Sequence, residues 1–156
     1  MNIVKKKQKN NVAKSNNFFT DKEQFRTIDT YRIVYFFTAI FWFFITEAGR
    51  FIYRPFIYVN HINDFGIADS IGNSGGIIVQ IFITLAVLNS PGIKVFRVIT
   101  FLTIGYILYE IVQPYLPRGV FDWIDIYGTV AGGIIASLFF LILHKIIKKN
   151  KVIYKF

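Results

Sequence analysis

Apolar residues in this chain come in unbroken runs, neither alternating nor recurring only at every third or fourth position. Four such runs stand out, Tyr31 to Gly49, Ile67 to Leu88, Val95 to Gln113 and Trp123 to Ile147. Each has about the 20 residues that a hydrocarbon core of about 30 Å requires. Lipid offers peptide groups no partner, so a spanning segment must satisfy its own backbone hydrogen bonds. With no sustained alternation to suggest a barrel, the pattern predicts helices. The links between them differ in kind: "LNSPGIK" joins the second and third as a tight Pro-Gly turn. About eighteen residues separate the first pair, and about ten separate the last. The expected fold is therefore an all-α integral membrane protein whose four transmembrane helices form two helix–loop–helix units. Residues 31–147 make the membrane domain, between an arm at 1–30 and a tail at 148–156.

Two stretches that lead into spans resemble each other. "FGIADSIGNSGG" begins at Phe65 and "FDWIDIYGTVAG" at Phe121, and Asp69, Gly72 and Gly76 fall opposite Asp125, Gly128 and Gly132. Upstream, "EAGRFIYRP" loosely echoes "EIVQPYLPR". The pattern suggests an internal repeat about an axis along the membrane normal. Small residues four apart let helix backbones approach closely, so the second and fourth spans are expected to pack through Gly72, Gly76, Gly128 and Gly132.

Composition agrees with the membrane reading: the chain is 54% hydrophobic and contains 18 phenylalanines. It has no cysteine, which removes disulfides and thiolate metal sites. The net charge of +9 does not point to nucleic acid, because the lysines are concentrated in the two tails. Of 18 basic residues, only Arg50, Arg54 and Arg118 fall in the two long connections. The positive-inside rule then puts both termini in the cytoplasm and both long connections outside, as in a bacterial-type plasma membrane. "MNIVKKKQKN" is followed by polar residues and is not a signal peptide. The arm is expected to attract anionic lipid, with "TDKE" at 20–23 as a capping box opening an interfacial helix.

Acidic residues show the reverse bias. Glu47, Asp64, Asp69, Glu110, Asp122 and Asp125 all lie outside or at the outer membrane edge. A charge near a span centre costs about 2.5–3.5 kcal/mol on insertion scales, less toward the interface, so carboxylates beside spans are expected to have partners. Glu110 and Gln113 share a helix face at i, i+3, as do Asp122 and Asp125, and Pro114 marks a helix exit. The polar groups expected to converge are Glu110, Gln113, Arg118, Asp122 and Asp125, with Glu47, Arg50, Arg54, Asp69 and Asn73 lining the same place. Three uses of this set stand open. The arginines could hold a phosphate or carboxylate of a ligand, and Glu110, Asp122 or Asp125 could act as acid or base. Alternatively, Arg118 pairs with an aspartate and clamps the fold. His61 among scattered carboxylates is weak grounds for a metal, and no phosphate loop or catalytic triad pattern is present, so no cofactor is expected. His144, beside Lys145, is expected at the interface.

Glu110-x-x-Gln113, then Arg118, then Phe121-Asp122-x-x-Asp125 and a glycine-rich span resemble the signature of VanZ-like membrane proteins. That family is named for a teicoplanin-resistance protein. It commonly has an asparagine where Thr129 stands here, although the first repeat keeps Asn73 at the matching place after Asp69. The resemblance implies a multi-span envelope protein with Glu110, Gln113, Arg118, Asp122 and Asp125 as its site. It implies as partners a glycopeptide or a lipid-linked cell-wall precursor, beside the membrane lipids themselves.

Overall fold

A computed structural model describes residues 30–88, 94–117 and 119–153, with side chains described as far as 149. The capping box at 20–23, the Pro-Gly turn and Arg118 lie outside the described residues. Among those residues there are four long helices and no strand: α1 Thr30–Val59, α2 Ile67–Leu88, α3 Lys94–Val112 and α4 Trp123–Ile153. All four are long and apolar enough to cross a membrane. The bounds of α2 match the apolar run, and α3 leaves its helix at Gln113–Tyr115, a 3₁₀ turn containing Pro114. α4 runs past Ile147 into the expected tail, because nothing between Ile147 and Ile153 breaks a helix.

The first connection differs most from expectation. α1 does not stop at Gly49; it continues through a π-helical turn, Gly49–Tyr53, into Arg54–Val59. Pro55 is the physical reason. Proline brings no N–H, and its ring collides with the carbonyl four residues earlier. A wider turn relieves that collision: the Arg54 N–H reaches back to the Gly49 carbonyl. The expected eighteen-residue link therefore shrinks to residues 60–66. There His61 (φ 52°), Phe65 (φ 57°) and Gly66 (φ 82°) reverse the chain. At Gly66 the absent side chain also leaves room for Ile124 of α4, whose Cδ1 would lie 3.1 Å from a Cβ.

α2 is the central helix. Hydrophobic driving force is weak between helices in lipid, so the backbones must approach closely enough for van der Waals packing. α1 meets α2 where Thr46 lies over Gly75, and a methyl on Gly75 would overlap the Thr46 hydroxyl. α4 meets α2 with Gly128 against Ser70 and Gly132 against Ser74 and Ile77, and it meets α3 with Gly133 against Thr103. Tyr35, Ile77, Ile78, Ile81, Phe82 and Leu85 fill the interior, joined by Val95, Ile99, Ala136 and Phe140.

Gly72 and Gly76 take no part in this. A Cβ on either would meet nothing within 4 Å. They follow Ser70 and Ser74 by two residues, which on a helix turns them about 200° away from α4. The expected four-glycine contact is corrected to a serine face of α2 on a glycine face of α4. This contact gives the expected internal repeat no support.

At the end where α1 begins and α4 finishes, the Tyr31 hydroxyl and His144 Nδ1 are 2.9 Å apart, and their rings stack. Phe140 adds a third ring, 5.6 Å from His144. Arg32 Nε donates to the Ala86 carbonyl (3.1 Å), satisfying a backbone acceptor in the last turn of α2. His144 is thus half-buried in an aromatic cluster. The described residues Arg32, Lys94, Arg97, Lys145, Lys148 and Lys149 make this the basic end.

Candidate functional site

At the opposite end, α2 and α4 both begin, and their carboxylates follow from that. The first N–H groups of a helix lack partners inside it, and the helix dipole favours negative charge there. Asp64 accepts from the N–H groups of Gly66 (3.1 Å) and Ala68 (2.7 Å), capping α2. Asp122 does the same for α4, accepting from the Ile124 N–H at 2.8 Å. Asp69 and Asp125 occupy the first turns of these two helices. Asp122, expected only as part of the site, therefore also holds a helix end.

The extended α1 brings cations to this end. Arg54 Nη2 lies 3.1 Å from Asp69 Oδ1, and the guanidinium also donates to the Tyr58 hydroxyl and sits 5.4 Å from that ring's centre. Tyr58 donates to the same Asp69 oxygen. The Arg54 and Asp69 side chains are 44% and 37% exposed, so the pair alone is worth at most about 1 kcal/mol. Its importance lies in occupancy, because Arg54 is already committed. Arg50 is committed as well, 3.2 Å from Glu47. Among the described residues nothing joins that second pair to Glu110, Asp122 or Asp125, so Glu47 and Arg50 stand apart from the cluster. Tyr53 donates to Asp64 at 3.3 Å. Asn73 is half-buried and Gln80 exposed, and neither makes a hydrogen bond among the described residues.

Glu110 is the exceptional carboxylate. It is only 4% exposed, on the last turns of α3, with Asp125 and Asp122 within Coulombic range. Asp69 and Arg54 lie within range of Asp125 in turn. The Gln113 amide, turned so that its nitrogen faces acceptors, donates to Glu110 and to the Val120 carbonyl (3.3 Å). No cation among the described residues pairs with Glu110. Gly119 sits so close to Gln113 that a Cβ would overlap the Gln113 carbonyl oxygen, which holds the short link back against the end of α3. One turn below Asp125 on α4, Thr129 is fully buried and its hydroxyl has no partner.

The geometry thus brings together Glu110, Gln113, Asp122, Asp125, Asp69 and Arg54. Arg118, whose pairing with an acid was expected, lies outside the described residues. Sequence reasoning missed Tyr58, Tyr53 and the vacant hydrogen-bonding capacity of Thr129. Arg54 and Tyr58 are i, i+4, a signal legible only once α1 is known to continue. Among the described residues no three His, Asp or Glu side chains are placed to hold a metal ion. A separate apolar cleft of about 290 Å³, between Arg32, Phe36, Phe37 and Val87, lies at the basic end.

Four apolar helices with a polar cluster at one end define a multi-pass membrane protein. No protein-family model, curated protein or solved structure matches the chain.

Proposed function

We propose that this is a cell-envelope protein of a bacterial plasma membrane whose polar site binds an amphiphile, such as a glycopeptide or a lipid-linked cell-wall precursor. The observation that carries this reading is Glu110: a carboxylate 4% exposed at the end of a span, with no cation beside it among the described residues. Burying a carboxyl group among other acids is costly to a fold, and groups held in that way cluster at functional sites. The likeness of Glu110, Gln113, Arg118, Asp122 and Asp125 to the VanZ-like signature supports the same reading. The distribution of basic residues supports an external site with both termini in the cytoplasm. A reporter fused after Phe156 is expected to read cytoplasmic and one inserted at Asn60 external; the opposite result would put the site on the wrong face for such ligands.

A structural clamp is the second reading, favoured by the Asp122 cap and the Arg54–Asp69 pair. Native mass spectrometry of protein released from native-lipid nanodiscs separates the two. The wild type is expected to retain a bound amphiphile that the Glu110→Gln and Asp125→Asn variants lose while staying folded. Identical spectra from all three would leave only the clamp.

A further inference from the structure

We infer that the group this site recognises is a primary ammonium, carried by an amphiphile whose chain lies in the lipid. The inference rests on the amphiphile-binding reading and specifies the chemistry of the ligand's head.

The first argument is charge. Asp69, Asp122, Asp125 and Glu110 are four carboxylates; among the described residues Arg54 is the guanidinium paired with one of them, and Arg118 is close in sequence. Arg54 is held by Asp69 and Tyr58. Even if Arg118 joined the cluster, four carboxyl groups would outnumber two guanidiniums, which leaves the site short of cations. A phosphate or carboxylate headgroup would meet repulsion there, and a cation would meet attraction strengthened by the low dielectric at the membrane edge.

Hydrogen-bonding capacity gives the second. Glu110 takes one bond from Gln113, and Asp122 gives one oxygen to its cap, so both keep free lone pairs. Thr129 adds an acceptor that is 0% exposed and unpartnered. It shares a helix face with Asp125 at i, i+4. The Cα–Cβ bonds of a helix tilt toward its N-terminus, which leans the Thr129 side chain toward the turn that carries Asp125. An ammonium has three donors and no acceptor, which complements a place furnished almost wholly with acceptors.

The third argument is spacing. A bare metal ion needs oxygens at about 2.0–2.6 Å, and no such convergence of three acidic or histidine side chains exists among the described residues. Charge-assisted N–H···O bonds reach about 2.7–2.9 Å, so an ammonium can bridge acceptors that stand too far apart for a metal. A quaternary ammonium, with no N–H, could not use the Thr129 hydroxyl or the carboxylate lone pairs in this way.

The test uses the full chain in phosphatidylcholine nanodiscs, titrated with octylammonium, octyltrimethylammonium or octyl phosphate and followed by calorimetry. Octylammonium is expected to bind most tightly. Its affinity is expected to fall about tenfold or more in Glu110→Gln and in Thr129→Val, the loss of one charge-assisted hydrogen bond. Asp125→Asn carries the same test if Glu110→Gln does not fold. Tighter binding of octyl phosphate, or equal octylammonium affinity in wild type and both variants, overturns the ammonium inference but leaves amphiphile binding standing. Competitive displacement by sodium and not by choline, at constant ionic strength, overturns it in favour of a metal cation. If none of the three probes binds and native mass spectrometry shows no retained amphiphile, both readings fail together.

Discussion

Gly132→Ala is expected to destabilise the bundle by about 1–3 kcal/mol, the usual cost of forcing a methyl into a packed interface. The same change at Gly76 is expected to be neutral or stabilising. A methyl at Gly132 would overlap the Ser74 carbonyl oxygen and the Ile77 side chain. A backbone oxygen cannot rotate aside, so α2 and α4 would have to separate along the contact that holds Gly128 against Ser70. Lipid supplies no hydrophobic force to draw them back, and the lost van der Waals contact is not replaced. Gly76 has nothing within 4 Å of its would-be Cβ, and alanine there gains up to about 1 kcal/mol of helix propensity. Unfolding of the two variants in mixed detergent micelles compares them directly. Equal losses at both positions would mean that α2 is rotated from the orientation described.

Glu110→Gln is expected to raise stability by about 1–3 kcal/mol, because a neutral amide of the same shape is free of the burial cost and of the crowding by Asp122 and Asp125 that the carboxyl group bears. Glutamine keeps the volume, and its carbonyl keeps the bond from the Gln113 amide. This opposition, a stabler protein that no longer retains its ligand, is the signature of a residue kept for function at a cost to the fold. If Glu110 instead belonged to a structural ion pair, losing one partner would lower stability by about 3–5 kcal/mol. The sign of the change in unfolding midpoint decides between them.

Much of the architecture was legible because apolar runs bounded by polar residues define spans without reference to packing. Ile67 and Leu88 are the ends of both the run and the helix. Pro55 and its flanking arginines hid the length of α1. In sequence they read as an exit, and only a turn of unusual width lets the helix absorb them. The rotation of α2 was also hidden. Gly72 and Gly76 have the same spacing as Gly128 and Gly132, but spacing fixes a face without saying which neighbour it meets. Ser70 and Ser74, equally small, were the residues that met α4. The carboxylate cluster was half legible. The i, i+3 pairs identified Glu110 and Asp125, whereas the capping roles of Asp64 and Asp122 depend on where each helix begins. Thr129 was visible only as a departure from asparagine; its idle hydroxyl is a property of the packed bundle.

The π-helical turn at Gly49–Tyr53 also bears on how this chain can change length. Such a turn uses about one residue more than an ordinary helical turn. Losing one residue between Arg50 and Tyr53 would narrow the turn and press the Pro55 ring against the carbonyl four residues before it. Because the wide turn takes up its extra residue within a single revolution, the helix beyond it keeps its facing, and Arg54 and Tyr58 stay turned toward Asp69.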